Sequence, residues 1–147
     1  MTAYLLDINV LVALFDAAHL HHESAHRWFA ATGKASWATC PVTQNGFIRV
    51  VSNPVYVTVA ASPSEATRRL RIFCGEPGHT FWSTAVSLTD STLFDMSQLS
   101  GHRQITDLYL AGLAVHHGGK LATLDTKIPV AALVGATSDI TEIIPVV

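Results

Sequence analysis

The most apolar stretch of the chain, Ala3 to Phe15, carries Asp7 and Asn9 in its middle, and this constrains the fold more than any other feature. A bilayer-spanning helix needs about 20 predominantly apolar residues, so the stretch is too short to cross a membrane. No positive n-region precedes it and no clean small-residue cleavage site closes it, which argues against a secretory signal and for the cytoplasm. "AYLLD" then reads as a short buried strand ending at a carboxylate, and "INVLVALFD" as a buried helix, apolar all round. Asp7 falls at the junction.

The same alternation continues along the chain. His19 to Thr32 has helical spacing at Leu20, Ala25, Trp28 and Phe29, with Gly33 as a stop and "ASWAT" as the next strand. "CPVTQNGFIRVVSNP" follows as a helix with Pro41 in its first turn and Asn53–Pro54 at its end, so Gln44 lies near its N-terminus. "SPSEATRRLRIF" carries the capping-box pattern of Ser62 and Glu65, with Ala66, Leu70 and Phe73 on one face. "HTFWSTAVSL" has strand content. In "ITDLYLAGLAVHHGGKLATLD", helical spacing at Ile105, Leu108, Leu113 and Ala114 ends at Gly118 and Gly119, and a strand from Leu121 to Leu124 ends at Asp125. "ITEIIPVV" reads as an edge strand, where Pro145 is tolerated.

Strands alternating with helices predict an α/β fold with a central, mostly parallel sheet of about four or five strands flanked by helices. The 147 residues, without linker, repeat or low-complexity tract, predict one domain over 1–147. A chain 49% hydrophobic and 14% charged is not globally disordered. Two cysteines, Cys40 and Cys74, are too few for a disulfide framework, fit no zinc-finger spacing and read as small buried residues. The formal charge of −2 announces no nucleic-acid partner. If three aspartates serve as ligands, however, eight acids remain against nine bases and the rest of the protein is at +1.

In parallel α/β sheets, ligands gather outside the carboxyl ends of the strands. That rule selects Asp7 and Asp125 at strand ends and Asp107 in the first turns of a helix. Convergent aspartates suit a hard divalent cation such as Mg²⁺, which can lower the pKa of a bound water and stabilise the leaving oxygen of a phosphodiester. Taken singly, each aspartate is equally readable as a helix cap.

The stretches "YLLDINVLVALFD", "HHESAHRWFA", "TCPVTQNGFIRVVSNP", "HTFW" and "ITDLYLAGLAVHHGGKLATLD" together resemble the PIN-domain ribonucleases of the VapC toxin type, over residues 4 to 125. The resemblance implies a PIN fold in which Asp7, Asp107 and Asp125 hold Mg²⁺ or Mn²⁺. It further implies the toxin of a type II toxin–antitoxin pair: an endoribonuclease that hydrolyses RNA until a cognate VapB-like antitoxin blocks it, with a homodimer favoured. Asn9 and Thr123 match small polar positions beside the acids. Gln44 departs from the pattern, which commonly has Glu before "NGF"; an amide keeps an oxygen donor but loses a charge, so weaker metal binding is expected. A catalytically weak module that binds RNA or antitoxin is the corresponding alternative.

Other features have simpler readings. His22 and His26, at i and i+4, could clamp zinc on one helix face, but no HEXXH-type base accompanies them. His116 and His117 suit a helix C-terminus. Arg68, Arg69 and Arg71 read as a solvated face, while Arg49 and Arg103 are candidates for RNA phosphate contacts. Trp28, Trp37 and Trp82 read as core. An aspartyl-phosphate phosphatase with Asp7 as nucleophile would want a second acid where Asn9 stands.

Overall fold

The computed structural model describes residues 1–56 and 58–147. Five short strands, β1 (Tyr4–Leu6), β2 (Trp37–Thr39), β3 (His79–Phe81), β4 (Lys120–Thr123) and β5 (Thr141–Ile143), form one sheet in the order β3-β2-β1-β4-β5. Every neighbouring pair is parallel, with Leu5 opposite both Ala38 and Leu121. The helices are α1 (Ile8–Phe15), α2 (His22–Ala31), α3 (Pro41–Val51), α4 (Pro63–Cys74) and α5 (Ile105–His116).

Side chains alternate across a strand, so the sheet carries a core on each face. Leu6, Trp37 and Ala122 pack with Val10, Trp28, Phe47 and Leu70 from α1 to α4. Leu5, Ala38 and Leu121 pack with Leu108, Leu113 and Phe94 on the α5 side. Burial on both faces is why the inner strands read as continuous apolar runs rather than alternating ones. The chain builds outward from β1 to β2 and β3, then crosses to β4 on the other side of β1. The carboxyl ends of β1 and β4 therefore flank the topological switch point, where a crevice opens.

Several expected boundaries shift for local reasons. The second helix begins at His22, not His19, because Asp16 and His19 make turns: the Ala18 amide donates to Asp16 Oδ1 at 2.9 Å and the His21 amide to His19 Nδ1 at 3.0 Å. Gly33 does not stop α2 but opens a short 3-10 turn, Gly33–Ala35. Ser62 caps α4 by accepting from the Glu65 amide at 3.1 Å, yet the Glu65 carboxylate turns to Arg68 and Arg69 instead of completing the box. β4 ends at Thr123, so Leu124 and Asp125 lie beyond it, and β5 ends before Pro145. Gly118, at φ +72°, makes the left-handed turn from α5 into β4.

Candidate active site

Asp7 leaves β1 and enters α1 in one residue. Its backbone is extended, its Oδ1 accepts from the Ile8 amide at 2.7 Å, and its Oδ2 accepts from the Thr123 hydroxyl at 2.7 Å. It is both the cap of α1 and a clasp between two strands. Only 4% of the residue is exposed, and burial pushes its carboxyl above the ordinary range; the bonds from Thr123 and Ile8 oppose the shift, and the nearby Asp125 adds to it.

Thr123 is the hub of this edge. While donating to Asp7 it accepts from Asn9 Nδ2 at 3.3 Å and from the Asp125 amide at 3.0 Å. The other side of the Asn9 amide accepts from the Leu124 amide at 3.3 Å, so Asn9 fixes the chain as it turns out of β4. Asp125 is held in turn by the Lys127 amide on Oδ1, at 2.8 Å.

Asp107 arrives from the first turn of α5 and is half-buried beside the other two acids. Its carboxyl is pushed up to about 6 by burial first, then by the charges of Asp7 and Asp125 and a hydrogen bond with Asp125. Two carboxylates that share a hydrogen bond need a proton or a cation between them. Among the described residues, no group of three or more His, Cys, Asp or Glu side chains stands placed to hold a metal ion. The trio is instead an acidic edge of oxygen donors at the N-termini of α1 and α5. An incompletely coordinated hard cation that keeps several waters fits such a donor set.

Gln44 lies in the early turns of α3, which is drawn against the start of α1. A Cβ at Gly46 would stand 2.7 Å from Ile8 Cγ1, so glycine permits the approach. The described bond of Gln44 goes not to an acid but to Thr39, whose hydroxyl receives Nε2 at 3.0 Å and meets His79 Nε2 at 2.8 Å. Sequence reasoning missed Thr39 and His79. Thr39 ends β2 beside β1, so the strand-end rule that selected Asp7 would have found it; His79 had no such signal.

Arg49, in the last turn of α3, and Arg103, in the turn before α5, are both exposed. The histidines of α2 are spoken for: His22 Nδ1 bonds the Ala13 carbonyl at 2.7 Å and His26 Nε2 the Leu14 carbonyl at 2.8 Å, closing the C-terminal end of α1. That replaces the zinc clamp. His117 stacks on Trp82 at 4.5 Å between centroids, and all three tryptophans are core. Cys40 is buried, but Cys74 is only half-buried.

A parallel sheet with strand-end acids at its switch point is the form of a PIN domain, and the PIN-domain family profile matches residues 4–133. The chain belongs to this family, in its VapC group. It is 44% identical over 133 residues to ribonuclease VapC44 of Mycobacterium tuberculosis, covering 90% of this chain and 93% of that one. It is 40% identical over 135 residues to ribonuclease VapC39 of the same organism, covering 92% and 96%. Among solved structures, VapBC2 of Rickettsia felis bound to a promoter DNA fragment is similar in fold at TM-score 0.55 and 16% identity, covering 86% of this chain and 90% of that one. A toxin–antitoxin complex from Klebsiella pneumoniae gives TM-score 0.57 at 18% identity, covering 85% and 88%. No helix among the described residues is long and apolar enough to cross a membrane.

Proposed function

We propose that this protein is the ribonuclease toxin of a type II toxin–antitoxin pair, cutting RNA with the help of Mg²⁺ or Mn²⁺. The observation that carries the reading is that Asp107 and Asp125, about a hundred residues beyond Asp7 along the chain, come close to it: Asp125 raises the Asp7 carboxyl, and Asp7 and Asp125 both raise that of Asp107. Their carboxylates would hold the cation. When bound, the metal supplies an acidified water and charge stabilisation at the phosphodiester.

The chain's own residues do the positioning. Thr123 aims Asp7 through its 2.7 Å hydrogen bond, which partly offsets the upward push of burial on that carboxyl. Asn9 holds the Leu124 amide and so fixes where Asp125 leaves the sheet. Asp107, its carboxyl pushed up to about 6, keeps a proton only below that pH; at neutral pH it is ionised and would join the other two acids in holding the cation. Gln44 is a neutral auxiliary at the same edge, and exposed Arg49 and Arg103 contact RNA phosphates. The relatives named as ribonucleases and the two solved toxin–antitoxin complexes support an RNA substrate and an antitoxin partner. The protein acts in the cytoplasm as a homodimer, for which exposed Phe81, Met96 and Val134 offer apolar surface.

The test is cleavage of a mixed RNA pool with Mg²⁺ or Mn²⁺, with and without a chelator. Cleavage that the chelator and Asp107→Asn each abolish, with folding intact, is the expected result. RNA retention without new ends would instead establish the non-cutting binding module, whose motive is the missing charge at Gln44.

A further inference from the structure

The hydrogen bonds around Thr39 have a defined direction. Its hydroxyl has one proton and two lone pairs, and three neighbours surround it: Gln44 Nε2 at 3.0 Å, His79 Nε2 at 2.8 Å and Cys74 Sγ at 3.8 Å. The main chain of Cys74 raises the proton affinity of the His79 ring, as a carbonyl that accepts from the ring does, and we take the ring to donate there through its other nitrogen. Nε2 is left as the lone pair. Thr39 must then give its single proton to His79 and accept from Gln44 and the Cys74 thiol. An amide that donates with its nitrogen turns its oxygen the other way. The orientation of Gln44 is thus fixed by His79, on β3, through a threonine with no solvent exposure.

We propose that His79, through Thr39, positions the Gln44 amide so that its carbonyl oxygen, rather than its NH₂, is presented at the acidic edge. This rests on the metal-dependent reading above. The location follows from the sheet: Leu5 pairs with Ala38, so Thr39, to which Gln44 is bonded, lies level with Leu6 at the carboxyl edge, one residue before Asp7. A carbonyl oxygen is a ligand or water acceptor for a hard cation, whereas an NH₂ in the same place would repel it. The relay lets an amide serve at this edge. It also ties the ring tautomer of His79 to the residue at position 44. A carboxylate there could only accept, Thr39 would have to donate to it, and His79 would have to donate through Nε2.

The experiment is nitrogen NMR of the histidine-labelled full-length protein at pH 7.5, where burial keeps the His79 ring neutral, alongside calorimetric titration with Mn²⁺ alone. The expected result is an unprotonated His79 Nε2 in the natural protein and a protonated one in Gln44→Glu. Thr39→Val, which removes the hydroxyl at nearly constant volume, should weaken Mn²⁺ binding about 10-fold, the size of effect typical for residues that orient metal ligands. Thr39→Ser should restore it, and Thr39→Val should add nothing in a Gln44→Ala background. A protonated Nε2 in the natural protein, or an unchanged tautomer in Gln44→Glu, overturns the relay even if Thr39→Val fails to fold. If the tautomers behave as stated but neither metal nor RNA is handled, the relay stands and the ribonuclease reading falls.

Discussion

Asp107→Asn should make the metal-free protein more stable at neutral pH. The Asp107 carboxyl ordinarily titrates near 3.8 and is pushed up to about 6 in the fold by burial and by the charges of Asp7 and Asp125. As pH rises from about 4 to about 6, the unfolded chain loses this proton while the folded one keeps it. Folding stability therefore falls across that window, and the deficit is complete above it. The full shift corresponds to about 3 kcal/mol. Asp107 is only half-buried, and solvent screening reduces this to about 1–2 kcal/mol. In a chain of this size that is a rise in Tm of about 3–6 °C. The asparagine keeps the shape and can donate to Asp125, so packing is preserved. Thermal unfolding in chelator, from pH 3.5 to 8, is the assay: the variant should gain on the natural protein above pH 6 and match it below about pH 4. Millimolar Mg²⁺ should then stabilise the natural protein and erase the difference. A variant no more stable at pH 7.5 in chelator, or an advantage that persists undiminished at pH 4, would refute the electrostatic argument.

Thr123→Val should destabilise the fold by about 1–3 kcal/mol in urea titrations, because it leaves a buried carboxylate without its hydroxyl donor; RNA cleavage should fall with it. Gln44→Glu should tighten Mg²⁺ binding by calorimetry and leave cleavage equal or higher; a clear fall in both would remove Gln44 from the metal edge. Tyr56→Phe deletes a 2.6 Å bond to buried Asp16. Burial pushes the Asp16 carboxyl up, but the bonds from Tyr56, Ala18 and Thr58 outweigh it and hold the group below the ordinary range. The stability it contributes is present above about pH 4 and is lost as pH falls through its folded value. The variant should therefore cost about 1.5–3 kcal/mol at pH 7, narrowing in acid, as measured by denaturant midpoints.

Elements whose character is set by neighbours in sequence were legible without coordinates. The apolar run broken by Asp7 specified a strand meeting a helix, Pro41 specified the start of α3, and Gly118 the turn into β4, because caps, turns and periodicity act over a few residues. The strand-end rule then selected Asp7 and Asp125, with Asp107 at a helix start, and the resemblance implied that the three hold a metal. What sequence left open was every relation between side chains on different elements. The start of α2, the half-made cap at Glu65, the histidines that close α1, and the chain from Gln44 through Thr39 to His79 depend on which groups meet after folding. Hydrogen bonds and charge couplings act over a few ångströms of space, not of sequence. For that reason the sequence by itself determined the scaffold and the acids on it, whereas only the tertiary structure decided that Asp107 holds its proton to about pH 6 and which way the Gln44 amide faces.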